Sequence, residues 1–196
     1  VDTPVAGANG GSDTVTISIE EDIKETALLN ESRNFYAETL DFTEHLFTAF
    51  VTKNDLPQRE ISEHIKLVID MVRSHRRYIL RLNELQTDAH NYIVDHSVKT
   101  TFLSIVIGMA VKLPPHKLID LGTAALLHEL GMIRLPPQLY MSQKRLSAQE
   151  KKAITAHTLL GFKILKQYSF PMPVCLAVLE CRENMDGSGY PRGLTG

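Results

Sequence analysis

His128 and Glu129 sit side by side at the end of an apolar run, residues 118–127 (LIDLGTAALL), with the length and composition of a buried helix. An imidazole and a carboxylate held at the edge of a core are two ready ligands for a divalent metal ion. His96 and His157 add two imidazoles on separate stretches whose neighbours are also apolar. Neutral imidazoles and one carboxylate make a good ligand set for a first-row divalent cation. The tight spacings that make a metal motif self-evident, HExxH or paired CxxC, are missing. A core histidine can equally satisfy itself against a backbone carbonyl. On chemistry alone, a ligand cluster and three independent core histidines stand level.

Bringing these groups together requires helices packed on one another. The spacing of apolar residues predicts a helix over 89–113, carrying His96 and closed by Pro114-Pro115. A second, over 117–130, carries His128 and Glu129. Gly131 offers its stop and Pro136-Pro137 prevents continuation. A third opens at Ser147 with Glu150 three residues on, a capping-box pattern, and runs to residue 167 with His157 in its middle. A last helix over 174–184 leads into the loop DGSGYP at 186–191. Upstream, Phe35, Leu40, Leu46 and Phe47 fall at helical spacing and predict a helix over 28–52, broken at 54–57. Another follows over 60–85, with Ile61, Ile65, Ile69, Val72 and Ile79 on its apolar side. Arg73, Arg76, Arg77 and Arg81 share its opposite face, which reads more readily as a solvated surface than as a phosphate grip. Residues 1–13 read as a flexible, Gly-rich leader. Residues 14–20 (TVTISIE) alternate β-branched and polar side chains, which predicts one short strand. Helix otherwise follows helix with no βαβ alternation, so the fold class is all-α.

An apolar fraction of 43% supports a sizeable core and excludes global disorder. The net charge of -2 argues against a dedicated nucleic-acid binder and leaves room for a local anion site. Cys175 and Cys181 form neither a CxxC pair nor a disulfide framework, which fits a reducing compartment. The longest apolar stretch, residues 102–111, is far short of the roughly 20 residues that span a bilayer, and no charged-then-apolar leader opens the chain. The expectation is a soluble, cytoplasmic protein without a membrane partner.

The segments HSVKT at His96, AALLHELG at Ala124, RLPPQL at Arg134, LSAQE at Leu146, AHTLLGFKIL at Ala156 and DGSGYPRGLTG at Asp186 carry a family resemblance. In order, spacing and apolar context they resemble the HD-GYP domains, a branch of the HD metal-dependent phosphohydrolases. The resemblance covers residues 91–196. It implies an HD-type helical bundle over 89–196, preceded by an N-terminal helical extension over 21–88; the leader with the short strand occupies 1–20. It further implies hydrolysis of the bacterial second messenger cyclic di-GMP at a two- or three-metal site. Carried onto this chain, the metal ligands are His96, His128, Glu129, His157 and Cys181, with Glu129 also the catalytic carboxylate. Asp186, Gly187, Gly189, Tyr190 and Pro191 form the GYP loop. A further Asp ligand would belong to a helix beyond Gly196.

The chain also departs from that pattern. Glu129 stands in place of an Asp, and its extra methylene would shift a metal bridge by on the order of an ångström. Met132 replaces a Lys and cannot hydrogen-bond a phosphate oxygen. Ser142-Gln143 replace a Lys-Pro pair. The family's His-His-Glu reads Cys181-Arg182-Glu183. Cys181 could ligate as a thiolate, whereas Arg182 cannot ligate and opposes a nearby cation. These departures point to a degenerate domain, impaired in hydrolysis, that binds cyclic di-GMP or docks signalling partners such as GGDEF-type proteins. The alternatives are an active metal-dependent phosphodiesterase with an altered site and a purely structural helical module. The expected cofactor is one divalent ion (iron, manganese or zinc) or none. Arg182, helped by Arg134, is the candidate phosphate-binding group, against a reading in which Arg182 points to solvent beside Glu180 or Glu183. The long helices before residue 90 make a homodimer plausible.

Overall fold

Aliphatic residues dominate two neighbouring segments, and these become the helices at the centre of the molecule. A computed structural model describes residues 12–83, 92–141 and 145–196. It runs α1 (Ser12–Lys53), α2 (Gln58–Asn83), α3 (Tyr92–Ala110), α4 (Pro115–Leu127), a 3-10 helix (Leu130–Arg134), α5 (Gln138–Met141), α6 (Ala148–Thr155), α7 (His157–Gln167) and α8 (Met172–Glu180). Helices α3 and α4 pack on each other, joined by a tight corner at Lys112, whose φ of 57° ends α3, and by Pro115, whose fixed φ suits the first turn of α4. Around them, α2 covers both, α8 lies on α4, and α7 lies on α8 and the 3-10 helix. One apolar cluster runs from Phe50, Ile61 and Ile65 through Phe102, Ile105, Leu126, Leu127 and Leu130 to Leu165 and Val178, all essentially closed to water. The N-terminal helices share that core.

The contacts between α1 and α2 run in opposite chain order: Thr39 with His64, Glu31 with His75, and Glu25 with Arg81. The two helices are therefore antiparallel across the turn at 54–57, where Asn54 takes a φ of 51°. Three of the four arginines on the polar face of α2 are tied up locally. Arg73 pairs with Asp70, while Arg77 and Arg81 reach Glu25 of α1.

Three sequence expectations are corrected. Residues 14–20 lie within helix α1 and not in a strand. A lone strand has no partner for its backbone groups, whereas a helix satisfies its own. The helix begun at Ser147 is two helices, because the chain turns at Ala156 and starts again at His157. His128 and Glu129 fall in the turn after α4, before the 3-10 helix, and not within a helix running to residue 130. The capping box at Ser147 and Glu150 is present as read. Residues 1–11, most of the expected leader, and Ser142-Gln143 lie outside the described residues.

Candidate metal and phosphate site

The turn that ends α4 throws His128 and Glu129 inward, between the N-terminal half of α3 and the first residue of α7. His128 Nδ1 lies 2.7 Å from the carbonyl of Ala125, and His157 Nδ1 lies 2.7 Å from that of Ile154. A carbonyl only accepts, so each ring carries its proton on Nδ1 and turns the lone pair of Nε2 into the site. Both lone pairs face the Glu129 carboxylate, at 3.4 Å from His128 and 3.8 Å from His157. His96 Nε2 comes from α3 to within 3.1 Å of His128 Nε2 and 3.8 Å of Glu129 Oε1. Burial holds the His128 pKa below its usual value, against the opposing pull of Glu129, so its imidazole is neutral at pH 7.

Glu129 is 2% exposed, a depth at which a carboxylate needs a counter-charge. Arg182, from the turn after α8, supplies it by donating from Nη2 to Glu129 Oε1. The other oxygen, Oε2, is buried without a hydrogen-bond partner, and so is His157 Nε2. An acceptor facing an acceptor is the arrangement that a cation relieves. His96, His128 and Glu129 each place one ligand atom within 4.8 Å of the others. That donor set suits one divalent cation, with Arg182 standing on the same oxygen, Oε1, that faces His96 and His128. Where the resemblance implies a second, on the α8 side, the guanidinium of Arg182 already holds Glu129 and does not fit one.

The other expected residues divide. Cys181 lines the same cavity, about 340 Å³ in volume, with His96, Thr100, Ser104, Ala124, His128, Ala177 and Arg182. The residue reaches the surface, yet its thiol is enclosed enough that burial pushes its pKa up to about 11, outweighing the opposite effect of Arg182. In the metal-free protein the thiol form is therefore favoured at neutral pH. Arg134 is directed elsewhere. Its guanidinium lies over the Phe50 ring, 4.6 Å from the centroid, and donates to Asn54 at 3.0 Å, at the corner between α1 and α2. Arg182 does not point to solvent beside Glu180 or Glu183, because both of those carboxylates are engaged by the loop that follows. Arg192 pairs with Glu180, and Glu183 accepts from the amides of Arg192, Gly193 and Leu194.

That loop is built on backbone contacts. Asp186 accepts from the amide and hydroxyl of Ser188, and Tyr190 N donates to Arg182 O at 3.1 Å. A Cβ on Gly189 would come within 2.3 Å of Asn184 N, so the chain passes here only as glycine. Gly187 adopts a φ of 77°. The result lays the Tyr190 ring edge-on to His157, with centroids 6.2 Å apart, closing one side of the site.

Two contributors escape a reading of the sequence. Gly131 reads as a helix stop, but its role is contact: a Cβ there would lie 1.9 Å from the His157 carbonyl oxygen. This close approach brings His157 to Glu129, and only the bareness of Gly131 hints at it. Tyr92 stacks on His96, centroids 5.6 Å apart and planes within 9°, and its i, i+4 spacing from His96 is the signal that finds it.

The HD domain family matches residues 66–196. Over 105 residues the chain is 33% identical to the cyclic di-GMP phosphodiesterase PdeB of Borreliella burgdorferi, an alignment covering 54% of this chain and 28% of that protein. It is 32% identical over 101 residues to a cyclic di-GMP phosphodiesterase of Thermotoga maritima, covering 50% and 27%. It is 26% identical over 189 residues to the cyclic di-GMP phosphodiesterase PA4108 of Pseudomonas aeruginosa, covering 94% and 43%. The chain thus spans less than half the length of these relatives. No solved structure matches it.

Proposed function

Because this chain belongs to the HD-domain family, we propose that it is a degenerate HD-GYP-type domain of cyclic di-GMP signalling that binds the dinucleotide and is impaired in hydrolysing it. The observation that carries this reading is Arg182 on Glu129. Two-metal hydrolysis of a phosphodiester needs cations on both sides of a bridging carboxylate, about 3.5–4 Å apart. Here one side of the carboxylate is held by a group that carries charge but can neither polarise nor deliver a water molecule. A guanidinium has five donors in a planar fork, and Glu129 occupies only part of it. Its remaining N–H groups, on a side chain 41% exposed, are free to take a phosphate oxygen at the mouth of the cavity.

The second reading is an active phosphodiesterase with an altered metal site. It is favoured by the convergence of His96, His128 and Glu129 and by the unpartnered Glu129 Oε2 and His157 Nε2. A divalent ion held there would neutralise charge on the phosphoryl group. The chain's own residues would orient the ligand, Arg182 gripping a phosphate and His96 bordering it. Incubation of the purified protein with cyclic di-GMP and manganese or iron, followed by chromatography, separates the two readings, with calorimetric titration of the dinucleotide in parallel. Binding without turnover is the expected outcome. Turnover that disappears in His128→Ala overturns it in favour of the phosphodiesterase.

A further inference from the structure

We propose that Tyr92 is the base-stacking platform of this site, taking a nucleobase on its open ring while the phosphate of the same ligand lies against Arg182. The inference rests on the nucleotide-binding reading above and assigns a residue that reads the base. Tyr92 is 54% exposed, unusual for a ring that stacks so nearly parallel on a site histidine. Its offset from His96 leaves part of the π surface uncovered, one helical turn away from His96 on the cavity wall. The face of α3 that starts with Tyr92 continues at i+4, i+8 and i+12 through His96, Thr100 and Ser104, and the last three line the cavity. One helical turn, about 6 Å of rise, therefore separates an aromatic platform from the imidazole beside the phosphate-binding guanidinium.

The chemistry favours a base over other apolar groups. A flat π system stacks on tyrosine with little loss of side-chain entropy, and the phenol edge remains hydrated at the surface. The cavity interior near Arg182 is walled by Ala124, Ala125, Ala177 and Leu121, and the rings on its lining, among the described residues, are the imidazoles of His96 and His128. A ligand with both a phosphate and a base thus finds its two recognition elements on different sides of His96.

A purely structural Tyr92 would steady His96 and so affect every ligand alike, whereas a platform affects only ligands that carry a base. Wild type, Tyr92→Phe and Tyr92→Ala are titrated with cyclic di-GMP by calorimetry and with ribose 5-phosphate by NMR, with helical content checked by circular dichroism. The expected result is that Tyr92→Phe keeps the affinity for cyclic di-GMP, Tyr92→Ala loses about 5- to 100-fold, and binding of ribose 5-phosphate is unchanged in both. Equal loss for both ligands in Tyr92→Ala makes Tyr92 a positioning residue and overturns the proposal. Undiminished cyclic di-GMP binding in Tyr92→Ala overturns it while leaving the nucleotide-binding reading intact. Wild type that binds neither ligand overturns both.

Discussion

The two sides of Glu129 answer the same electrostatic demand in opposite ways. Towards α3 and α7 the protein presents imidazole lone pairs, held in place by carbonyls at Ala125 and Ile154, and asks for a cation. Towards α8 it presents Arg182, a cation of its own, which takes the same oxygen that faces His96 and His128 and leaves Oε2 to His157. The first side is built on backbone geometry at helix ends and is receptive. The second is a single side chain on a turn, half open to solvent, and is already satisfied. A carboxylate this deeply buried will take either solution, and the choice between them separates a cation-dependent site from a binding site.

The largest effect is expected where the two sides are pinned together. Gly131→Ala drives a Cβ into the His157 carbonyl, and backbone on both sides cannot move aside cheaply. It should cost about 4 kcal/mol in urea denaturation and shift the His157 ring resonances. Next comes Arg182→Ala, which leaves the Glu129 charge uncompensated. A loss of about 2 kcal/mol is expected, moderated by water entering where the guanidinium was. Manganese or zinc should raise the melting temperature of this variant more than that of wild type, because Oε1 becomes available. Equal metal responses in the two proteins would erase the distinction drawn between the sides.

Glu129→Gln sharpens the comparison by keeping shape and removing charge. Its amide accepts from Arg182 and donates to the unpartnered His157 Nε2, so the expected cost is only about 1.5 kcal/mol, while the cation-induced rise in melting temperature disappears. The smallest effect concerns a histidine away from the site. His64 is stacked against Phe42 and Phe35, and burial pushes its pKa down from 6.5 to about 4. The unfolded chain takes up a proton below pH 6.5 that the folded chain refuses. Stability should therefore be level above pH 6.5 and fall by about 1 kcal/mol as the pH drops towards 4, the partly exposed ring being screened. Urea midpoints across that range should lose this slope in His64→Leu.

Much of the architecture was legible from periodicity. The helix breaks at 54–57 and at Pro114-Pro115 and the capping box at Ser147 are local signals, set by φ restrictions and by hydrogen bonds between residues three apart. The strand read over 14–20 failed because alternation describes a side-chain pattern, while a strand also needs a neighbour, which no window of seven residues contains. The break at Ala156 was hidden for a related reason. Nothing local forbids helix there, and the turn instead accompanies the packing of Gly131 on the first residue of α7.

For the site, the types of group were set by the sequence alone. Three imidazoles, a carboxylate, a thiol and a guanidinium bring the same donor and acceptor atoms wherever the chain places them. Only the tertiary structure decided which of them meet. It put Arg182 on Glu129 and Arg134 on Phe50, although both were candidates for the same phosphate, and it set Cys181 in the cavity wall, where burial raises its pKa. The reason is that charge pairing and desolvation depend on distances of a few ångströms between residues dozens of positions apart. Those distances exist only once α4, α7 and α8 have closed around Glu129.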